Sequence, residues 1–343
     1  MTISRFTKVD SLKALIIKGF CFRHPSILPS NCQTPVFIRH ASSGIVFASI
    51  AIGLTQMLCA VFNGYFRSGT TLFWNILRLS NPDADVFYEP FHTELFVHLS
   101  LRQENPLDPL HQLPVFNTYF KYPDFISKLR KYFPNYDQPF PLHPDLTFKY
   151  LNLFNELPNK VILQANRLHF LYDEISTNFP NCKIIHIIRH PLDIYLSIIT
   201  IHKKYYSHLS LGQVFYTDDI FRWIYSRFGL PKLTDSRRDL IFNDFLAKIL
   251  SCWIIANYHA LLITQDNYNI LVIRYEDLIT KKEIVSQKVF NFCNINFDIS
   301  CVTLKSQKIH KYNKALEEKC KLLIDFLGLA ELFNFINSKV KYF

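Results

Sequence analysis

Gly64-Tyr65-Phe66-Arg67-Ser68-Gly69-Thr70-Thr71-Leu72 is the stretch whose reading decides the fold. An apolar run, Met57 to Phe62, leads into it, and a helical pattern, Thr70 to Leu79, leads out. Strand, tight turn and helix is the setting in which backbone N–H groups cradle a phosphate. The first amides of a helix lack intrahelical partners and sit at the positive end of its dipole. Gly64 and Gly69 stand five positions apart, the spacing of a P-loop, G-x-x-x-x-G-K-[ST]. Thr70 occupies the position of the P-loop lysine, and the cation sits inside the loop as Arg67. The stretch reads as a cradle for a phosphate-like anion, but not for a Mg-nucleoside triphosphate in the usual way. An ordinary glycine turn is the competing reading of this stretch taken alone.

A second stretch narrows the choice. Lys183-Ile184-Ile185-His186-Ile187-Ile188 reads as a buried strand ending at Arg189, and Pro191 follows near a helix start, where proline is tolerated. Ser197 lies eight residues after Arg189. Together the two stretches resemble the PAPS-dependent sulfotransferases, whose loop has the form [RK]-S-G-T-T and whose second element has the form R-x-P-x-D-x-x-x-S. Here they are Arg67-Ser68-Gly69-Thr70-Thr71 and Arg189 to Ser197. Ile273-Arg274-Tyr275-Glu276-Asp277-Leu278 is similar to the family's late R-Y-E-D-L strand end. The resemblance spans roughly Val61 to Leu316 and leaves both termini aside. It implies an α/β, P-loop NTPase-like three-layer fold with a central, mostly parallel sheet. It also implies that Arg67, Ser68, Gly69, Thr70 and Thr71 hold the 5′-phosphosulfate of PAPS, that Arg189 and Ser197 hold the 3′-phosphate, and that Tyr275 lies near the adenine. Lys305 to Leu316 looks like the family's basic C-terminal loop and nominates Lys308, or Lys311, for the nucleotide. His310 and Tyr312 depart there from the family's glycine and tryptophan.

Val86-Phe87-Tyr88-Glu89-Pro90-Phe91-His92 reads as a short strand ending in a carboxylate. An acceptor hydroxyl must lose its proton as it attacks sulfur, so a carboxylate or imidazole must lie within hydrogen-bond reach. Glu89 is the first candidate base and His92 the second; the pair is similar to the E-P-x-x-H pattern of the carbohydrate branch. A surface or helix-capping carboxylate is the competing reading of Glu89. Phe66 replaces a frequent proline, His190 a frequent aspartate, and Leu72 a tryptophan of the cytosolic aryl branch. With Arg67 in place of that branch's lysine, the carbohydrate, tyrosylprotein and bacterial branches fit better.

The whole chain bounds the reading. It has 343 residues, 49% hydrophobic and 15% aromatic, enough for a large core. A formal charge of +10 suits an anionic co-substrate. No arginine-rich tract or nucleic-acid motif is present, so nucleic acid is the weaker reading of that charge. Eight cysteines are scattered without C-x-x-C, and no H-E-x-x-H occurs, so neither a metal nor a disulfide framework is expected.

Residues 1–43 read as a loosely attached extension, and 44–343 as the catalytic domain. Gly44 to Phe62 is 19 residues without a charge, close to a membrane-spanning length. A signal anchor there is the alternative; a buried segment leading into the first strand is favoured, and with it a cytoplasmic location. Leu101 to Lys160 holds nine of the seventeen prolines and reads as an irregular acceptor-binding insertion. A second insertion, His202 to Asp244, carries Arg222, Arg227, Arg237 and Arg238. Leu168 to Phe179, Phe245 to Ile263 and Leu322 to Phe335 read as helices. The strand–helix alternation implies parallel strands, with ligands beyond their carboxyl ends, where the loop, Glu89, Asn166, Arg189 and Tyr275 all fall.

The expectation is a sulfotransferase that moves a sulfuryl group from PAPS to an acceptor hydroxyl of unstated identity. A nucleotide or sugar kinase of related fold is the second reading, which preference for ATP over PAP would support. A non-catalytic nucleotide-binding or membrane-associated protein is the third.

Overall fold

The computed structural model describes residues 57–108, 111–133, 144–211, 235–265, 267–302 and 314–342. The extension 1–43, residues 44–56, Arg222, Arg227, Lys308 and Lys311 lie outside the described residues.

Five strands form in the order β1 (Leu58–Gly64), β2 (Asp85–Tyr88), β3 (Val161–Ala165), β4 (Lys183–Ile188) and β5 (Ile270–Arg274). They pair in parallel as β2-β3-β1-β4-β5. Their near-continuous apolar sequences suit a parallel sheet covered on both faces, and β3 is buried along its whole length. β1 is central. The chain goes from it to β2 and β3 on one side and to β4 and β5 on the other, so its carboxyl end is where the sheet order divides. Open α/β sheets bind ligands at that place.

The helices are α1 (Thr70–Ser80), α2 (Leu95–Glu104), α3 (Asn117–Phe120), α4 (Pro123–Tyr132), α5 (Pro144–Asn155), α6 (Tyr172–Asn178), α7 (Pro191–Tyr205), α8 (Asp235–Asn243), α9 (Phe245–Ile263), α10 (Tyr275–Thr280), α11 (Lys282–Cys293), α12 (Lys314–Leu327) and α13 (Ala330–Val340). They flank the sheet, and the fold is the P-loop-like α/β architecture. α1 buries Phe73, Trp74, Ile76 and Leu77 on one face. Asn81 stops it, its amide Nδ2 donating to the Leu77 carbonyl at 2.9 Å.

Leu58 to Phe62 form the middle of the sheet and are almost wholly buried. That end of the apolar run 44–62 is therefore strand and not a spanning helix. α9 has the length and mean hydropathy of a membrane span, but 78% of its apolar window is buried inside the fold. Asp244 starts it, Oδ1 accepting from the amides of Leu246 and Ala247 at 2.8 and 3.1 Å.

Two helix expectations need correction. The segment Leu168 to Phe179 is helical only over α6, and its first residue is held by Asn63, whose Oδ1 accepts the Leu168 amide at 3.1 Å. The terminal helix is two helices, divided at Gly328, whose φ of 70° suits a glycine C-terminal turn.

The proline-rich insertion contributes no strand among the described residues, but it is packed. Phe125 and Phe154 set their rings 5.7 and 5.1 Å from that of Phe87 on β2. Tyr150 Oη donates to the Pro90 carbonyl at 2.6 Å.

A buried polar chain crosses the core behind the site. Asn63 Nδ2 donates to Tyr172 Oη at 2.9 Å. Tyr172 Oη lies 2.8 Å from His186 Nδ1, and His186 Nε2 lies 3.0 Å from Asn257 Oδ1. β1, α6, β4 and α9 are thereby joined through side chains of fixed length.

Candidate active site

The parallel register places the first residue past each strand along one edge. Gly64 pairs with Ile187, Ile188 with Arg274, and Tyr88 with Gln164. Loop residues 65–69, Glu89, Asn166, Arg189 and Tyr275 therefore share the carboxyl edge of the sheet.

The loop closes with the Ser68 amide donating to the Tyr65 carbonyl at 3.0 Å. Arg67 (φ 61°) and Gly69 (φ 94°) have left-handed backbone, the kind of turn from which anion-binding concavities of N–H groups are built. Gly69 is the N-cap of α1, and no side chain caps that end. A Cβ at Gly69 would run into the ring of Tyr275. Over the same ring stands the Arg189 guanidinium, 4.5 Å from the centroid, a favourable cation–π contact.

Arg189 also donates through Nη1 to the Arg67 carbonyl at 2.9 Å, and Arg67 donates through Nε to Ser197 Oγ at 3.2 Å. The two motifs found in the sequence are thus joined to each other. Burial, with Arg189 contributing, lowers the pKa of the Arg67 guanidinium, while Tyr88, Tyr275 and Glu89 oppose the shift. Ser68 Oγ and Arg189 Nε are buried without a hydrogen-bond partner among the described residues. Such atoms are costly to leave unpaired. A serine hydroxyl and guanidinium N–H beside a bare helix N-terminus make a donor set suited to an oxyanion.

Glu89 follows β2 in a left-handed conformation (φ 43°), a strained geometry for a residue with a side chain and a recurrent mark of functional positions. Its amide donates to the Gln164 carbonyl at 2.8 Å, and it is 8% exposed. Arg167 Nη1 stands 3.8 Å from Glu89 Oε2. Burial pushes the Glu89 carboxyl up, and the charges of Arg167 and His111 partly offset that. His92 is held further out, its Nδ1 accepting from the Glu94 amide at 3.1 Å. Burial, Arg167 and His98 push its imidazole well below the usual range.

Glu276 is a brace. It accepts from the His190 amide and from Tyr342 Oη, both at 2.9 Å. It therefore fixes the turn that carries Arg189.

These groups border one cleft of about 520 Å³. Phe66, Arg67, Gly69, Thr70, Thr71, Glu89, His92, Arg189 and Tyr275 all line it. Asn166 and Arg167, which the sequence places at the end of β3 in a stretch similar to the family's K-x-N-R element, also line it, whereas Asp108 and His111 were outside the sequence-based site. Arg167 is 6% exposed and sets its guanidinium over the Phe66 ring at 5.2 Å. Asp108 and His111 come from the proline-rich insertion, where an Asp-x-x-His spacing in a loop has no motif to announce it. Among the described residues, no group of three or more His, Cys, Asp or Glu side chains could hold a metal ion.

A family model described as a sulfotransferase domain matches residues 60–324. A protein of Archaeoglobus fulgidus described as "Uncharacterized protein" is 27% identical over 307 residues, covering 81% of this chain and 97% of its own. Among solved structures, the sulfotransferase domain from the curacin biosynthetic pathway is 16% identical and covers 83% of this chain and 98% of its own, with a TM-score of 0.39. A sulfotransferase from Alicyclobacillus acidocaldarius is 15% identical and covers 81% and 95%, with a TM-score of 0.36.

Proposed function

Because the chain belongs to the sulfotransferase domain family, we propose that it moves a sulfuryl group from PAPS to an acceptor hydroxyl, with PAP as the other product. One observation carries the reading. Arg67 of the αL loop, Arg189 and the buried carboxylate Glu89 line a single cleft, and Arg67 ties Ser197 to them, although they come from the β1, β4 and β2 ends far apart in sequence. The orphaned Ser68 hydroxyl and Arg189 N–H fit a doubly phosphorylated nucleotide.

When bound, PAPS supplies an activated sulfuryl group on its 5′-phosphate. The chain supplies position and charge, as enzymes of phosphoryl transfer do. Arg67 and the first amides of α1 hold the 5′ end and stabilise the charge that grows on the leaving phosphate. Arg189 and Ser197 hold the 3′-phosphate. Tyr275 keeps Arg189 flat against its ring and so sets the distance between the two anion sites. Glu89 takes the proton of the acceptor hydroxyl, and Arg167 favours the ionised carboxylate that this requires. His92 is the second candidate for that proton.

Calorimetric titration of the full chain with PAP, ADP and ATP tests the reading. Micromolar PAP binding with ADP at least tenfold weaker is expected, a gap of about 1.4 kcal/mol, modest for an arginine–phosphate contact. Arg189→Ala should close the gap. Equal affinity for PAP and ADP in the parent chain would remove the 3′-phosphate site, and tighter ATP binding would bring the kinase reading forward.

A further inference from the structure

The buried carboxylate that collects the proton must also lose it before the next turnover, and Glu89 has little contact with solvent. Beside it in the cleft stand Asp108 and His111. Asp108 Oδ2 lies 2.7 Å from His111 Nδ1 and accepts the His111 backbone amide at 2.8 Å. A carboxylate can only accept, so this geometry puts the imidazole proton on Nδ1 and leaves Nε2 bare. His111 Nε2 is buried and has no hydrogen-bond partner among the described residues. The pair's side chains are 20% and 17% exposed against 10% for Glu89, so it is the more open to solvent.

We propose that Asp108 and His111 form the proton exit of the site, His111 drawing the proton from Glu89 through Nε2. The inference rests on the sulfuryl-transfer reading. The steps balance without a further reactant. The acceptor O–H bond breaks as the O–S bond forms, and the proton goes to the Glu89 carboxylate. It passes to the Nε2 lone pair of His111, giving imidazolium beside the Asp108 carboxylate. The imidazolium passes its Nδ1 proton to the Asp108 carboxylate, which releases it to water at the exposed edge of the pair, and the neutral Nε2–H ring returns to the Nδ1–H form by proton exchange with solvent, freeing Nε2 for the next turnover. His111 acts through Glu89 and is a positioning residue, not a catalytic one.

The surroundings fit. The positive charge of His111 favours ionised Glu89. Burial pushes the Asp108 carboxyl up, but its bonds to His111 and the charges of His111 and Arg102 hold it below the usual range. From β2, Tyr88 stands edge-on to His111, their ring centroids 6.4 Å apart. From α2, His98 and Arg102 are the charged and titratable groups that face Asp108.

Two measurements on the full chain test this. Nitrogen-15 spectra of the labelled imidazoles, with His111 assigned from His111→Gln, should show the Nδ1–H form at high pH in the parent chain, and Asp108→Asn should shift it toward Nε2–H. This arm needs no turnover. The second arm follows release of PAP from PAPS with water as the acceptor. His111→Ala should lower kcat about 100-fold, the low end of acid–base effects, with the KM for PAPS held, and added imidazole should restore most of the rate. A parent chain with Nε2 protonated overturns the proposal, as does His111→Ala turning over at the parent rate. Failure of PAP to bind would instead sink the sulfuryl-transfer reading and leave the tautomer result standing.

Discussion

Replacing Gly69 with alanine tests the contact on which both anion sites depend. The added Cβ meets two obstacles. At φ 94° an L side chain is strained by about 1–2 kcal/mol. The ring of Tyr275 occupies the space of the methyl group, and overpacking of that kind costs about 1–3 kcal/mol. The sum is about 2–5 kcal/mol, which in a chain of this size lowers Tm by roughly 3–7 °C. Ring displacement also disturbs Arg189, because its guanidinium stands over the same ring, 4.5 Å from the centroid. PAP affinity should therefore fall at least tenfold. Scanning calorimetry gives the first quantity and titration calorimetry the second. Gly69→Ala/Tyr275→Ala separates the terms, since it removes the steric cost and keeps the backbone strain; coupling of about 1–3 kcal/mol between the two sites is expected. A Gly69→Ala variant that melts within about 1 °C of the parent and binds PAP equally well would refute the reasoning, because neither strain nor clash would then exist.

Three further outcomes are expected. Burial raises the Glu89 carboxyl, so turnover should rise with pH through a midpoint above the ordinary 4.5, and Glu89→Gln should lose both that limb and about 100-fold or more of the rate; a Glu89→Gln enzyme with the parent profile would hand the role to another base. Glu276→Ala strips the acceptor from the His190 amide and Tyr342 Oη, and should lower stability by about 2–4 kcal/mol and weaken PAP through Arg189, while Tyr342→Phe loses only the smaller share; denaturant unfolding of the two variants checks the order. Burial depresses His186 from its ordinary 6.5 to about 4. The unfolded chain binds more protons in that window, so stability is full above pH 6.5 and falls toward pH 4, by about 3 kcal/mol from this residue. A His186→Asn variant whose acid slope matches the parent's would refute that assignment.

Much of the site was legible because its residues are tied to local backbone needs. A glycine at the turn, a proline after Arg189 and runs of Ile and Val each constrain the chain within a few positions. The strands at both motifs came within a residue or two for that reason, and α9 matched its sequence limits. What stayed hidden depends on tertiary partners. Nothing near Leu168 says that Asn63, 105 positions away, takes its amide. Asp108 and His111 sit in a proline-rich stretch whose composition says loop, and only the packing of that stretch on β2 brings them to Glu89. Glu276 reads from the sequence as a carboxylate that fixes the strand end by hydrogen bonds, but its two donors, His190 and Tyr342, lie 86 and 66 positions away and could not be named from it.

The polar chain Asn63–Tyr172–His186–Asn257 has a consequence for how the sheet finds its alignment. Strands as uniform as Val161-Ile162-Leu163 and Ile184-Ile185 offer no reason to prefer one alignment over another shifted by two residues, since the same kind of apolar side chain would fill each place. Such a slip moves a strand by about 6.6 Å, enough to take Arg189 away from the Arg67 carbonyl and Tyr275. Asn63 and His186 sit directly opposite each other on β1 and β4, and both reach for Tyr172. In any shifted alignment their buried amide and imidazole would face hydrocarbon. The chain therefore acts as a ruler written inside the core, and the spacing it enforces between strands is the spacing at which the two proposed anion sites stand.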